Sequence, residues 1–171
     1  MLVHDFLQQS AERTPDKLAL ICDGQRLTYA EVEAQANRLA HGLLAAGVTR
    51  GDRVAVWLPN SVEAVAAIFA ILKAGATFLV INATTKQDKL AYILNNCAAS
   101  ALFGPAREHL MAQHLFATVP SLRCTVLCGK GAAEPSTDHR LPAYSGILGA
   151  NPPSRPSCHT VDVDLACLIY T

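Results

Sequence analysis

The stretch that decides the fold is Gly51-Asp-Arg-Val-Ala-Val-Trp-Leu-Pro-Asn-Ser61, followed by an apolar segment to Lys73 and by Ala74-Gly-Ala-Thr-Phe-Leu-Val-Ile-Asn82. Residues 53–58 predict a strand, and the Pro-Asn-Ser sequence after them predicts the start of a helix. A glycine at position 75 predicts the end of that helix, and the β-branched and aromatic residues 77–81 predict a second strand. The stretch therefore predicts a strand–helix–strand unit with parallel strands.

The same alternation continues towards the C-terminus. A helix with Leu90, Ile93 and Leu94 on one stripe precedes a short strand at residues 101–103. A weaker helix that extends to about Phe116 and a strand at residues 122–127 follow. This order predicts an α/β fold of Rossmann-like βαβ units, with a mostly parallel sheet covered by helices on both faces.

The N-terminal part predicts a different arrangement. Residues 5–13 predict a short helix, and two short strands at 18–22 and 25–28 are joined by Asp23-Gly24, a strong signal for an antiparallel hairpin. Thr28 and Glu31 then form a capping box that opens a long helix ending at Gly47.

The chain divides into three parts by composition. Residues 1–128 form an N-terminal α/β subdomain, residues 129–160 a Pro/Gly-rich loop without periodicity, and residues 161–171 a final strand. The apolar run at 165–169 predicts that this strand is buried on both faces.

Composition excludes several classes of function. The 171 residues are 51% hydrophobic, and 14 basic residues balance 14 acidic ones, so neither a nucleic-acid footprint nor a polybasic membrane patch is expected. Lys73 and the Ala-Gly-Ala after it interrupt the long apolar stretch 62–82, which argues against a membrane span. Residues 1–5 lack signal-peptide features, so we expect a cytoplasmic protein. The zero net charge leaves homo-oligomers possible.

Cysteine and histidine spacing predicts no metal site and no catalytic residue. Cys124 and Cys128 could be half of a metal site, but only Cys158-His159 could complete it, across a long loop. His109 and His114 are five residues apart, outside the spacing of ligands on one helix face. Free thiols in a reducing compartment are the favoured interpretation.

Three segments, in this order, resemble the adenylate-forming (AMP-dependent synthetase/ligase) superfamily. They are Leu27-Thr-Tyr-Ala-Glu-Val32, then Gly51–Ser61 with Leu72-Lys-Ala-Gly-Ala76, and Asp164-Leu-Ala-Cys-Leu-Ile-Tyr-Thr171. Val80-Ile-Asn82 is similar to the acyl-CoA synthetase branch, whereas the peptide-synthetase form usually reads Leu-Asp-Pro there. Ala83 departs from the proline that usually follows.

The resemblance implies a reaction in which a carboxylic acid and ATP form an acyl-adenylate and then an acyl-CoA, as in fatty acid metabolism. It implies ATP, Mg²⁺ and CoA as cofactors of a full-length enzyme and a small carboxylic acid as substrate. The family's phosphate loop follows the segment that ends at Thr171, so the chain is expected to be an N-terminal portion, inactive and without tight cofactor binding until it joins the remainder of the synthetase. Thr171 matches the first loop position, against an ATP phosphate, and Lys86 stands where some relatives contact a CoA phosphate.

Two other functions remain open. A truncated paralogue or split module would act without catalysis, through protein–protein contact at exposed apolar surface. A generic Rossmann-like nucleotide binder is disfavoured, since no G-x-G-x-x-G or P-loop pattern follows a predicted strand.

Overall fold

A five-stranded parallel sheet forms the centre of the computed structural model, which describes residues 1–129 and 138–170. The strands are β3 (Arg53–Val56), β4 (Thr77–Val80), β5 (Ala99–Pro105), β6 (Cys124–Cys128) and β7 (Cys167–Leu168). Their order is β6-β5-β3-β4-β7, and every neighbouring pair is parallel. A separate antiparallel hairpin joins β1 (Leu18–Cys22) to β2 (Gln25–Thr28).

Six helices surround the sheet in the described part of the chain. They are α1 (Val3–Arg13), α2 (Tyr29–Ala45), α3 (Val62–Lys73), α4 (Gln87–Asn96), α5 (His109–Thr118, after a 3₁₀ turn at Ala106–Glu108) and α6 (Tyr144–Ala150). No helix among the described residues has the length and apolar character that a membrane crossing requires.

Alternate residues of each strand face opposite helical layers. Val54 and Val56 of β3 pack with α2, α3 and α6, whereas Ala55 and the following Trp57 pack with α4 and α5. Helices therefore cover both faces of the sheet, and the predicted α/β fold class is confirmed.

The local signals in the sequence form as expected. Thr28 Oγ1 accepts the Glu31 N–H at 3.3 Å, and the Glu31 carboxylate accepts the Thr28 N–H at 2.8 Å. Asp23 and Gly24 both have positive φ (48° and 79°), the backbone conformation that a two-residue hairpin turn requires.

The final strand is shorter and more exposed than the sequence predicts. It is confined to Cys167–Leu168 and pairs with β4 at the edge of the sheet. Leu165 and Ile169 are 68% and 83% exposed, so the prediction of a strand buried on both faces is wrong. A run of apolar residues reports strand propensity, but it does not report whether another layer covers the strand.

The segment predicted as an unstructured loop, residues 129–160, contains α6 in its described part. The Thr125 and Leu127 N–H groups of β6 donate to the carbonyls of Arg140 and Pro142, at 2.7 and 2.9 Å. This pairing leads the chain into α6, which packs against α2. The division of the chain at residues 128 and 160 stays a prediction.

Candidate active-site cleft

The strand order places a topological switch point between β3 and β5. The chain runs from β3 to β4 on one side, then crosses to β5 and β6 on the other. In open α/β sheets, ligands bind outside the carboxyl ends of the strands at such a point. The loops that follow β3, β5 and β6 are therefore the first place to look for a site.

A cleft of about 650 Å³ opens there, between the hairpin, the start of α3 and the start of α6. It is lined by Cys22, Asp23, Gln25, Ser61, Val62, Glu63, Leu127, Gly129, Tyr144 and Ser145. A smaller hollow of about 110 Å³ adjoins it and is lined by Leu58, Pro59, Ser61, Glu63, Pro105, Arg107, Cys128 and Gly129. We call the two together the switch-point cleft.

The start of α3 forms one wall of the switch-point cleft. Ser61 is the N-cap, and its Oγ accepts the Ala64 N–H at 3.1 Å. The helix dipole favours negative charge at this end, and Glu63 in the first turn already supplies it. A protein carboxylate therefore stands where the helix would otherwise attract an anionic ligand.

The ionisable groups with perturbed pKa values in the cleft hold their protons. Burial, followed by the nearby Glu63 carboxylate, raises the pKa of the Cys128 thiol. Burial also raises the pKa of Tyr144, together with Cys128 and Glu63, and the Tyr144 hydroxyl donates to Gln35 Oε1 at 2.7 Å. A thiol that holds its proton is a poor nucleophile. These groups are therefore suited to lining a binding surface and not to covalent or base catalysis.

The described walls of the switch-point cleft do not fit a nucleoside triphosphate with its metal ion. The charged side chains among the described lining residues are two carboxylates, Asp23 and Glu63, and one guanidinium, Arg107. No group of three or more His, Cys, Asp or Glu side chains in the described part of the chain is arranged to hold a metal ion. Polyanionic phosphates need the opposite balance of charge.

Lys86, the residue predicted to contact CoA, lies away from the switch-point cleft. It is the exposed N-cap of α4 and makes no side-chain capping bond. Asn82 Oδ1 holds the preceding turn by accepting the N–H and hydroxyl of Thr84, both at 2.9 Å. Lys86 therefore follows β4, on the other side of β3 from β5 and β6.

The second predicted site residue, Thr171, lies outside the described residues. Its neighbour Tyr170 donates its hydroxyl to Asn96 Oδ1 at 2.6 Å, at the last residue of α4. Lys86 is at the opposite end of this ten-residue helix, which is about 15 Å long. The structure thus does not bring the Tyr170 hydroxyl and Lys86 together.

Sequence reasoning missed the switch-point cleft because its walls are distant in the chain. The one local signal was the predicted helix start at Ser61. Tyr144 and Ser145 belong to a segment without periodicity. Glu63 looks in the sequence like any acidic residue in the first turn of a helix.

Comparisons with known proteins agree on one family. The model of the AMP-binding enzyme family matches residues 7–171. A 3-oxocholest-4-en-26-oate–CoA ligase from Rhodococcus rhodochrous is 32% identical over 145 residues, which are 85% of this chain and 25% of that protein. One of the linear gramicidin synthase proteins of Brevibacillus parabrevis is 30% identical over 171 residues, 100% of this chain and 3% of that protein.

A solved structure has the same fold. The anthranilate CoA ligase AuaEII in complex with anthranoyl-AMP superposes with a TM-score of 0.86 at 23% identity, over 100% of this chain and 31% of that chain. The chain thus spans between a quarter and a third of the length of these CoA ligases. With the family match extending over residues 7–171, the chain belongs to the AMP-binding enzyme family.

Proposed function

We propose that this chain forms the N-terminal part of an AMP-forming acyl-CoA synthetase. The whole enzyme would join a carboxylic acid to ATP as an acyl-adenylate and pass the acyl group to CoA, in the cytoplasm and as part of fatty acid metabolism. The similarity to a CoA ligase over 85% of the chain carries this proposal. The acyl-CoA type of sequence at Val80-Ile-Asn82 supports the CoA branch over the peptide-synthetase branch.

The chain alone is expected to be inactive. The groups with raised pKa values in the switch-point cleft hold their protons, and its carboxylates repel phosphates. ATP, Mg²⁺ and CoA are therefore proposed as cofactors of the whole enzyme, in which the remainder of the synthetase supplies the phosphate and metal sites. When bound, Mg²⁺ would offset the negative charge of the reacting phosphates.

Lys86 and Thr171 remain proposed contacts of the whole enzyme. The exposure of Lys86 leaves its ammonium group accessible to an anionic ligand. In the full-length protein, Lys86→Ala should raise the KM for CoA several-fold and leave the adenylation half-reaction unchanged. Thr171→Ala should instead slow the half-reaction, since a phosphate loop acts on ATP.

ATP–pyrophosphate exchange by the full-length protein, over a panel of aliphatic and aromatic acids, tests the proposed reaction. We expect exchange with at least one acid, followed by transfer to CoA and not to a carrier-protein thiol. Absence of exchange with every acid would contradict the synthetase assignment. Transfer to a carrier protein alone would overturn only the CoA branch.

A non-catalytic module that acts by protein contact is the second candidate. Apolar side chains are exposed around β4 and β7, where Val80, Leu165 and Ile169 are 57%, 68% and 83% exposed. An unpaired, apolar sheet edge favours association with a partner or with a second copy. If the isolated chain is a compact monomer that binds no apolar dye, this candidate fails.

A further inference from the structure

A belt of residues 143–155, which includes α6, packs along α2. Ile147 packs at Gly42 so closely that a Cβ added to this glycine would lie 2.5 Å from Ile147 Cγ2. The Arg38 guanidinium donates to the carbonyls of Leu148 and Asn151, at 2.7 and 2.6 Å. Helix α2 therefore positions the belt by one close packing contact and by hydrogen bonds to belt carbonyls.

The far end of the belt is tied to a buried ion pair. Lys73 Nζ lies 2.7 Å from Glu33 Oε1, and their side chains are 0% and 14% exposed. Asn37 Nδ2 donates to Glu33 Oε1 at 3.2 Å and to the Pro153 carbonyl at 2.7 Å. One amide group thus links the buried ion pair to the belt.

A buried histidine adjoins this ion pair. His4 of α1 is 3% exposed, and its Nε2 lies 3.4 Å from an Arg155 nitrogen and 3.9 Å from Asp5 Oδ1. Burial lowers the pKa of His4, the nearby Lys73 lowers it further, and Asp5 opposes the shift. Arg155 also donates to Gln8 Oε1 at 2.6 Å, so the belt's last residue is held by α1.

The anions around His4 are already engaged or solvated. Asp5 accepts the Leu2 N–H at 2.8 Å and lies 3.6 Å from Arg155. Asp164, which lines a small hollow beside His4, is held by Arg50 at 2.7 Å, and the nearby Asp162 is exposed. Glu33, from α2, is paired with Lys73. Asp5, 3.9 Å from His4 Nε2, would oppose a charge on His4, but it is shared with Arg155 and the Leu2 N–H and offsets only part of the repulsion from Lys73 and Arg155.

The cluster is also incompletely hydrogen-bonded. Glu33 Oε2 and Asn37 Oδ1 are buried and have no hydrogen-bond partner among the described residues. A partly satisfied buried polar network is poorly stabilised, so a single added charge can shift its equilibrium.

We propose that the cluster of His4, Asp5, Glu33, Lys73 and Arg155 is an acid-sensitive latch: protonation of His4 adds a third cation beside Lys73 and Arg155 and releases the belt from α1 and α2. Because Tyr144 and Ser145 at the start of the belt line the switch-point cleft, release would open that cleft. The latch does not depend on the reaction of the whole enzyme.

The direction of the pH effect follows from linkage. The latched state holds His4 neutral, whereas His4 in the released state regains a pKa of about 6.5. Latched stability is therefore constant above about pH 6.5 and declines as pH falls below it, by at most about tenfold in the equilibrium constant per pH unit for one proton. Protonation of Asp5 lies below this window, because its hydrogen bond from Leu2 lowers its pKa.

Amide hydrogen exchange of the whole chain between pH 8 and 5, corrected for the intrinsic pH dependence of exchange, tests the latch. Protection of residues 144–155 should be constant from pH 8 to about 6.5 and should then fall by up to about tenfold per pH unit. Helix α4, on the other side of the sheet, is the internal control and should show constant protection. Constant protection of the belt down to pH 5 would overturn the proposal.

Histidine variants identify the titrating group. His4→Gln should remove the pH dependence of belt protection, whereas His114→Gln, an exposed control on α5, should leave it unchanged. His41, which contacts the Ser154 carbonyl at 3.0 Å, is the competing group. A pH dependence that is lost in His41→Gln and retained in His4→Gln would overturn the assignment to His4.

A direct titration covers the case in which His4→Gln does not fold. Exchange of the imidazole C2 hydrogen, measured by mass spectrometry on the unmodified chain, reports the pKa of His4 itself. The latch requires a value below about 6.5, and a value at or above that would contradict it.

Discussion

The two faces of the sheet are covered by the same kind of element but differ in what they bury. On the α4 and α5 face the core cluster is made of apolar side chains such as Leu90, Leu94 and Leu115. On the α2 and α3 face, an ion pair between Glu33 and Lys73 is buried as well. The difference lies in the number of layers.

A second layer covers the α2 and α3 face. Leu7 of α1 and Leu27 of the hairpin pack onto Val32 of α2 and Val62 of α3. The outer sides of α2 and α3 are therefore partly removed from water, and polar residues there must find partners within the protein. The outer sides of α4 and α5 remain solvated, as the 66% exposure of Tyr92 and 69% of Leu110 show.

The largest loss of stability is expected when the buried ion pair of the two-layer face is disrupted. Glu33→Ala leaves the Lys73 ammonium buried without its partner, and the free energy of unfolding should fall by about 3–5 kcal/mol. The double variant Glu33→Leu with Lys73→Met removes both charges and should lose much less. Urea denaturation measures both, and equal losses would show that packing, and not the unpaired charge, is responsible.

On the single-layer face, the comparable disruption is an apolar cavity. Leu94→Ala removes a fully buried side chain and should lower the free energy of unfolding by about 3 kcal/mol. Leu110→Ala on the same face alters a side chain that is 69% exposed and should change it by less than about 0.5 kcal/mol. If both variants unfold at the same urea concentration, this face does not have the apolar core described above.

A smaller effect is expected where the belt meets α2. The methyl group of Gly42→Ala would overlap Ile147, and the net loss should be about 1–2 kcal/mol after the better helix propensity of alanine is included. Ile147→Ala in the same chain removes the overlapping atom, so the two losses should not add in a double-mutant cycle. Gly149→Ala, with open space around its Cβ, is the control. Additive losses would mean that this contact is not close.

The smallest change in stability is expected at the helix N-termini, which differ between the two faces. Helix α2 has a capping box at Thr28, whereas α4 begins at Lys86 without a side-chain cap. Lys86→Ser supplies an acceptor for the first turn and should stabilise the chain by about 0.5–1 kcal/mol in thermal unfolding. Lys89→Ser removes a charge from the first turn of the same helix without placing a hydroxyl at the N-cap position, and it should give no gain. A gain in both variants would point to the removed charge.

Local patterns predicted most of the fold. The strand–helix–strand unit at residues 51–82 formed because Ser61 and Gly75 act on their own neighbours, through a cap and a positive φ of 75°. Helix α6 escaped prediction because its seven residues include two glycines, and contacts from Arg38 and Gly42 hold it in place. Such contacts have no signature within a sequence window.

The candidate site was less predictable than the fold. The polar turn after Asn82 correctly predicted that Lys86 follows β4. No pattern within one segment could show that Glu63, Tyr144 and Asp23 line one cleft. The same limit applies to Lys73, which the sequence marks only as a charge in an apolar stretch. Its partner Glu33 lies forty residues earlier, on another helix.

The sequence by itself determined the α/β class, the order of strands and helices and the resemblance to adenylate-forming enzymes, because periodicity, caps and turns act over a few residues. Only the tertiary structure decided the strand order β6-β5-β3-β4-β7, the exposure of β7 and the burial of Lys73. These depend on which layer comes to cover which face, and contacts between distant segments set that. The motif that ends at Thr171 thus indicates the family from the sequence. The contact between His4 and Arg155 of the belt, by contrast, depends on the fold.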